Sequence, residues 1–120
     1  MPTVLITGAN RGIGFELARQ YAADDWRVLA CRRSSSSQLD RLTAVDPQVV
    51  QHELDVLDLA SVDRAAAAIG DEPVDLLVNN AGLVNLERRI TVDGFEETFA
   101  VNHLAYFALT NLLLERLVAS

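Results

Sequence analysis

The sequence predicts an α/β protein built on a doubly wound parallel sheet of about four β-α units with strand order 3-2-1-4. Three observations lead there. Runs rich in Val, Leu and Ile recur at 3–7, 27–31, 49–54 and 74–79, and they are mostly continuous rather than alternating, as expected of strands covered on both faces. Segments with helical periodicity fill the gaps, and strand-helix alternation with right-handed crossovers leads to parallel pairing. The first run also ends in Thr7-Gly8-Ala9-Asn10-Arg11-Gly12-Ile13-Gly14, a glycine-rich turn that opens a helix. Residues 1–120 are read as one domain, long enough to bury roughly two thirds of its surface.

The elements follow in order. The first helix carries Ile13, Leu17, Ala18 and Tyr21 on one face. Before the second helix, Ser35 and Gln38 have the spacing of a capping box ahead of Leu39 and Leu42, in which each side chain satisfies a backbone N–H of the first turn. The third helix places Val62, Ala65, Ala66 and Ile69 at i, i+3, i+4 and i+7 before Gly70 stops it. A last helix over 93–118, headed by Asp93 and Glu96, shows two apolar faces. One holds Phe95, Phe99, Tyr106, Leu109, Leu113 and Leu117, the other Val101, Leu104, Ala108 and Leu112. A helix apolar around so much of its circumference is buried on two sides.

Composition narrows the function classes. The net charge is −7, from 17 acidic and 10 basic residues, which argues against a nucleic-acid or anionic-membrane surface, where a clustered basic excess is needed. Cys31 is the only cysteine, so no intrachain disulfide forms and a reducing, cytoplasmic setting is expected. Its place at the end of an apolar run marks a packing thiol rather than a reactive one. No secretory signal pattern is visible, and the most apolar stretch, 104–114, is interrupted by Thr110 and Asn111, well short of the ~18 residues of a membrane span. His52 and His103 lack metal-ligand spacing.

The glycine-rich turn carries the chemistry. Where side chains are missing, backbone amides can approach a phosphate closely, and the first turn of a helix adds unpaired N–H groups and the positive end of its dipole. A strand, such a turn and a helix together therefore suit a dinucleotide pyrophosphate, although an ordinary tight turn has similar composition. A second landmark, Asn79-Asn80-Ala81-Gly82, closes the fourth strand. With order 3-2-1-4, the switch point lies between strands 1 and 4, so both landmark loops open into one crevice.

Thr-Gly-x-x-x-Gly-x-Gly followed by Asn-Asn-Ala-Gly resembles the short-chain dehydrogenase/reductase family, with its Rossmann-like fold, over the whole chain. The run from Asp93-Gly94-Phe95-Glu96 to Val101-Asn102-His103-Leu104, with Ala30-Cys31-Arg32 earlier, looks most like the retinol-dehydrogenase-type reductases. The resemblance implies a cofactor-binding set of Thr7, Gly8, Asn10, Arg11, Gly12, Ile13, Gly14, Asp55, Val56, Asn79, Ala81 and Gly82. It also implies that Asn102 corresponds to the Asn of the catalytic tetrad and Asp55 to the adenine-side Asp, although an Asp at a strand end can also simply cap a turn. The family completes its site with a Ser and a Tyr-x-x-x-Lys pair. This sequence contains no lysine, and neither Tyr21 nor Tyr106 has one four residues on. A Tyr hydroxyl with a pKa near 10 needs a neighbouring cation to act near neutral pH.

Cofactor choice turns on the end of the second strand. NAD sites place an Asp or Glu there for the ribose 2′-hydroxyl, whereas NADP sites offer a cation to the 2′-phosphate. Here the strand ends Cys31-Arg32-Arg33, so Arg32 and Arg33, with Arg11 as a second clamp, favour NADP(H) over NAD(H). The alternative is that these arginines are solvated or pair with Asp40. The serines at 34–37 could serve the phosphate, but a turn and helix cap suit them better.

The expectation is thus the NADP(H)-binding portion of a short-chain dehydrogenase/reductase, exchanging hydride between nicotinamide and a carbonyl or alcohol. The chain alone is expected to be catalytically incompetent. The alternatives are a non-catalytic dinucleotide-binding half-domain and a complementation or oligomerisation module. An uncovered edge of the strand at 74–79 and the helix at 93–118 both point to a homo-oligomer.

Overall fold

A computed structural model describes residues 1–81, 93–94 and 105–119. The chain runs β1 (Thr3–Thr7), α1 (Gly12–Ala23), β2 (Arg27–Arg32), α2 (Ser37–Val45), β3 (Val49–Glu53), α3 (Leu59–Ile69), β4 (Leu76–Val78), α4 (Ala105–Leu112) and α5 (Leu114–Ala119). The sheet has the order β3-β2-β1-β4, with every pairing parallel. Leu5 stands opposite both Leu29 and Leu77, and that register sorts the side chains into two layers.

Successive strand residues face opposite sides, so each strand feeds two cores. Leu5, Leu29 and Cys31 face one side and pack with Val62, Ala65, Ala66 and Ile69 of α3 and with Leu109 and Leu113. Val4, Ile6, Val28 and Ala30 face the other, with Ala18 and Ala22 of α1 and Leu39 of α2. This is why the strand runs are continuous in apolar character. Burying a Leu or Val completely contributes roughly 1.5–3 kcal/mol, and Val4, Leu5, Val28, Leu29 and Leu113 are fully buried.

The expected elements are present with local differences. β4 is shorter than 74–79 because the chain turns immediately after it, with Asn80 N–H donating to the Val78 carbonyl at 3.0 Å. Val74 and Asp75 precede the strand, yet Asp75 still reaches β1. Its N–H donates to the Thr3 carbonyl at 2.9 Å, and its carboxylate accepts from Thr3 N–H at 2.7 Å. The α2 cap is Ser36, not Ser35, and its Oγ accepts from Leu39 N–H at 3.2 Å. A Leu in the third helical position leaves no capping box. Gly70 ends α3 as expected, with φ of 66°.

Helix faces also differ in part. Ile13 is 74% exposed, because the buried face of α1 is the one that carries Gly14, Ala18 and Ala22. Leu109 of α4 and Leu113 just after it reach the core, but Leu112 is exposed on another side. The described part of the last helical region is two segments, and 95–104 lies outside the described residues. Asp93 serves a different helix from the expected one, its Oδ2 accepting from Leu59 N–H of α3 at 3.0 Å. Among the described residues, no helix is long and apolar enough to cross a membrane, and no group of three or more His, Cys, Asp or Glu is placed to hold a metal ion.

Candidate cofactor site

The site lies where β1 and β4 end side by side. Thr7, the last residue of β1, is buried, and its hydroxyl joins the two strand ends. Oγ1 accepts from Asn80 N–H at 2.9 Å and Ala81 N–H at 3.0 Å and donates to the Val78 carbonyl at 3.4 Å. One donor and two acceptor sites are thereby all used. The Asn80 side chain adds a second connection, its Nδ2 donating to the Thr7 carbonyl at 3.2 Å and the Gly8 carbonyl at 3.4 Å. The loop is also tied to β2, with Ala9 N–H donating to the Cys31 carbonyl at 3.0 Å.

The glycines answer to this crowding. Gly8 adopts φ of +65°, and a Cβ there would lie 3.2 Å from Ala81; only glycine takes such a conformation without strain. At Gly14 the constraint is space, since a Cβ would drive into the Gly8 carbonyl group. Gly14 therefore lets the first turn of α1 settle directly on the end of β1. Gly12 opens that turn and is exposed, like Arg11 before it, while Asn10 is half-buried.

The start of α1 is left without a side-chain cap. Arg11 occupies the capping position with extended backbone (φ −158°, ψ 169°), makes no side-chain cap bond, and is followed by no acidic residue in the first turn. The other two helices with defined starts are treated differently. Ser36 caps α2, and Asp58 caps α3 through Ala60 N–H at 3.0 Å. An open helix start beside a glycine turn suits an anionic group.

Arg32 and Arg33 stand at the far end of β2. Arg33 is exposed. Arg32 Nε donates to Gln51 Oε1 of β3 at 2.9 Å, and Gln51 Nε2 donates to Asp40 Oδ1 at 2.9 Å. The ion pairs among the described residues are Arg19 with Glu16, Arg27 with Glu72, and Arg64 with Asp58. Arg11, Arg32 and Arg33 are in none of them, so the direct pairing with Asp40 considered from the sequence does not form.

Asp55 combines two duties. Its Oδ1 accepts from Leu57 N–H at 2.9 Å, the local turn that its position suggested, and its own N–H donates to Ser61 Oγ at 2.8 Å. One carboxylate oxygen remains for a ligand. Val56 packs on the α3 side of the core. Asn79 donates through Nδ2 to Thr110 Oγ1 of α4 at 3.4 Å, while its buried Oδ1 has no partner among the described residues. Ala81 is half-buried beside Gly8. Gly82, Asn102 and His103 lie outside the described residues.

Titration behaviour separates packing groups from reactive ones. Burial pushes the Cys31 thiol up to about 12, so it stays protonated and inert. Burial also raises the Tyr106 hydroxyl above its ordinary value, away from acid-base work near neutral pH. His52 is shifted down, chiefly by burial. Two residues of the site were not assigned from the sequence. Asn80 carried a signal, as part of the second landmark. Gln51 carried none beyond being a polar residue within an apolar strand.

The sequence profile described as short chain dehydrogenase matches residues 2–120. The chain belongs to the short-chain dehydrogenase family. It is 42% identical over 125 residues to human retinol dehydrogenase 13, the match covering 98% of this chain and 38% of that protein. It is similar in structure to an uncharacterized protein from Mycobacterium paratuberculosis, with TM-score 0.83, 43% identity, and coverage of 97% of this chain and 42% of the other. It is also similar to the NADPH-bound carbonyl reductase from chicken fatty liver, with TM-score 0.81, 30% identity, and coverage of 97% and 48%. The short-chain dehydrogenase fold is Rossmann-like and binds a dinucleotide, and within the family this chain is retinol-dehydrogenase-like. It spans about two fifths of the length of the curated relatives it matches.

Proposed function

We propose that this chain is the NADP(H)-binding portion of a short-chain dehydrogenase that exchanges hydride between nicotinamide and a carbonyl or alcohol. The observation that carries the reading is the uncapped, acid-free start of α1, held against the end of β1 by Gly14 and by the Thr7–Asn80 connections. The first-turn amides receive the pyrophosphate, with Asn10, Arg11, Gly12 and Ile13 around it. Asp55 and Val56 border the adenine. Asn79 Oδ1 offers an acceptor to a ribose hydroxyl, and Ala81 leaves room beside it. When bound, the nicotinamide supplies or accepts the hydride.

Selection of NADP(H) rests on charge. Arg32 closes β2 where an NAD site would hold an acid, and its Nη amines have no partner among the described residues. A charge-assisted contact to a 2′-phosphate contributes roughly 1.5–3 kcal/mol, or about ten- to a hundredfold in preference. The NADPH in the similar carbonyl reductase supports the same choice. Calorimetric titration with NADPH and NADH tests it. NADPH should bind more tightly, and Arg32→Glu should abolish or reverse the preference; an unchanged ratio in that variant, or no binding of either cofactor, would overturn the assignment.

The chain alone is proposed to be catalytically incompetent. Asn102 matches the tetrad Asn, but with no Tyr-x-x-x-Lys in the sequence the proton donor is lacking, at a typical cost of ~10² to 10⁴ in rate. Carbonyl reductase activity in the highly purified chain would disprove this. A single domain over 1–120 and a cytoplasmic setting complete the reading, the latter supported by Cys31 alone.

A second reading, a homo-oligomer or complementation module, has its own observation. Phe107, Leu114 and Val118 are 64%, 48% and 76% exposed and follow one another at i, i+7 and i+11 across α4 and α5. Among the described residues, β4 pairs only with β1. An exposed apolar stripe and an open strand edge favour association through 93–118, the 74–79 edge, or both. Sedimentation showing a well-behaved monomer at tens of micromolar, a range suited to modest affinities, would count against it.

A further inference from the structure

Arg32 is held from one side by a relay that crosses from the sheet to α2. Its Nε–H donates to Gln51 Oε1 at 2.9 Å. Gln51 then uses both hydrogens of its amide NH2, donating to Asp40 Oδ1 at 2.9 Å and Thr43 Oγ1 at 3.0 Å. Thr43 is itself fixed, its hydroxyl donating to the Leu39 carbonyl at 2.9 Å, and Leu39 is fully buried. The relay therefore ends in the packed body of α2. The chemistry permits only one orientation of the amide, because the flipped form would set an amine against the guanidinium and an oxygen against the carboxylate.

This arrangement has two consequences for the guanidinium. Its Nε is occupied, while Nη1 and Nη2 have no hydrogen-bond or ion-pair partner among the described residues. Gln51 also stands between Arg32 and the Asp40 carboxylate, which would otherwise compete for the fork. Glu53 is the register partner of Arg32 on β3 but forms no ion pair with it among the described residues. A guanidinium steadied at Nε and open at both Nη atoms is set up for bidentate contact with a phosphate.

We propose that Gln51 is a positioning residue for cofactor selection, steadying Arg32 for the 2′-phosphate of the adenine ribose and keeping the Asp40 carboxylate off it. The inference rests on the NADP(H) reading and deepens it. Asp40, which in a direct pair would quench Arg32, becomes through Gln51 part of its support.

The test compares 2′,5′-ADP with 5′-AMP, which differ only in the 2′-phosphate, by calorimetry on the purified protein. Arg32→Ala should reduce the affinity ratio to near one. Gln51→Leu should lower it by roughly three- to tenfold, the scale of one ordinary hydrogen bond lost, with 5′-AMP affinity unchanged. Asp40→Asn added to Gln51→Leu should recover part of the ratio, because the competing carboxylate is gone; a merely structural defect would not be rescued this way. Gln51→Glu, which keeps the side-chain size, should also lower the ratio and stands in if Gln51→Leu fails to fold. A ratio unchanged in both Gln51 variants, with Arg32→Ala still losing it, would overturn the role of Gln51 and leave the NADP(H) reading intact. Equal wild-type affinity for the two ligands would overturn both.

Discussion

The start of α1 and the starts of α2 and α3 face the same problem and resolve it in opposite ways. Every α-helix begins with N–H groups that have no partner inside the helix. In α2 and α3 the chain supplies partners itself, through Ser36, Asp58 and Asp93. In α1 it supplies none, and it places an arginine, Arg11, at the cap. A helix start stabilised from within serves the fold, whereas one left open costs stability in the free protein and recovers it when an anion binds. The contrast therefore separates structural helices from the helix proposed to meet the ligand.

Thr7→Val would break the contrast most severely. It leaves the Ala81 N–H without its acceptor and Asn80 N–H with only the Val78 carbonyl, at roughly 1–3 kcal/mol for the group left unmatched, and it removes one of the two connections between the loops. Denaturant unfolding should show the loss, and dinucleotide binding should fall with it. Gly14→Ala comes next. The added methyl meets the Gly8 carbonyl group, overpacking that typically costs about 1–3 kcal/mol, and calorimetry should show weaker dinucleotide binding even where the protein stays folded.

Cap substitutions sharpen the comparison, because the same kind of change should act with opposite sign. Asp58→Ala should destabilise the protein by about 1 kcal/mol without changing dinucleotide affinity. Arg11→Ser supplies a cap where none exists, so it should stabilise the free protein by about 0.5–1 kcal/mol while weakening NADPH binding. Melting temperature and affinity moving together in Arg11→Ser would show that the open start is not a ligand site.

The smallest effects concern pH. His52 has its pKa lowered from 6.5, mainly by burial, so the unfolded chain takes up its proton first on acidification. Its contribution is complete above about 6.5 and is lost as pH falls through the lower folded value. Unfolding midpoints should drop between pH 7.5 and 5, and His52→Gln should flatten part of that slope. Glu16, hydrogen-bonded by Arg19 on α1, is held down to about 2 from 4.5. Its contribution is present above 4.5 and fades as pH falls towards 2, and exposure keeps it small.

Much of the fold was legible because its signals are local. Continuous apolar runs mark strands buried on two faces, and the i, i+3, i+4, i+7 pattern from Val62 to Ile69 matched the buried face of α3. The glycine turn was legible for the same reason, since its conformational and spatial demands leave few residue choices at Gly8 and Gly14. Local signals failed where two readings differed by one position or one face. Either Ser35 or Ser36 can cap a helix, and only the path of the chain into α2 selects Ser36. Ile13 fits the apolar face of α1 by periodicity, yet the face that packs is the neighbouring one of Gly14, Ala18 and Ala22.

The sequence by itself determined the family, the sheet order and the glycine turn at the end of β1, because each depends on short motifs and on periodicities that a few neighbouring residues express. The tertiary structure decided how the charged and polar groups are paired. Arg32 and Gln51 are 19 residues apart in sequence, and Thr7 and Asn80 are 73 apart; they meet only because parallel register brings those strand positions side by side. Pairing across a sheet depends on register and on the helix packed over it, and that information becomes available only once the chain has folded.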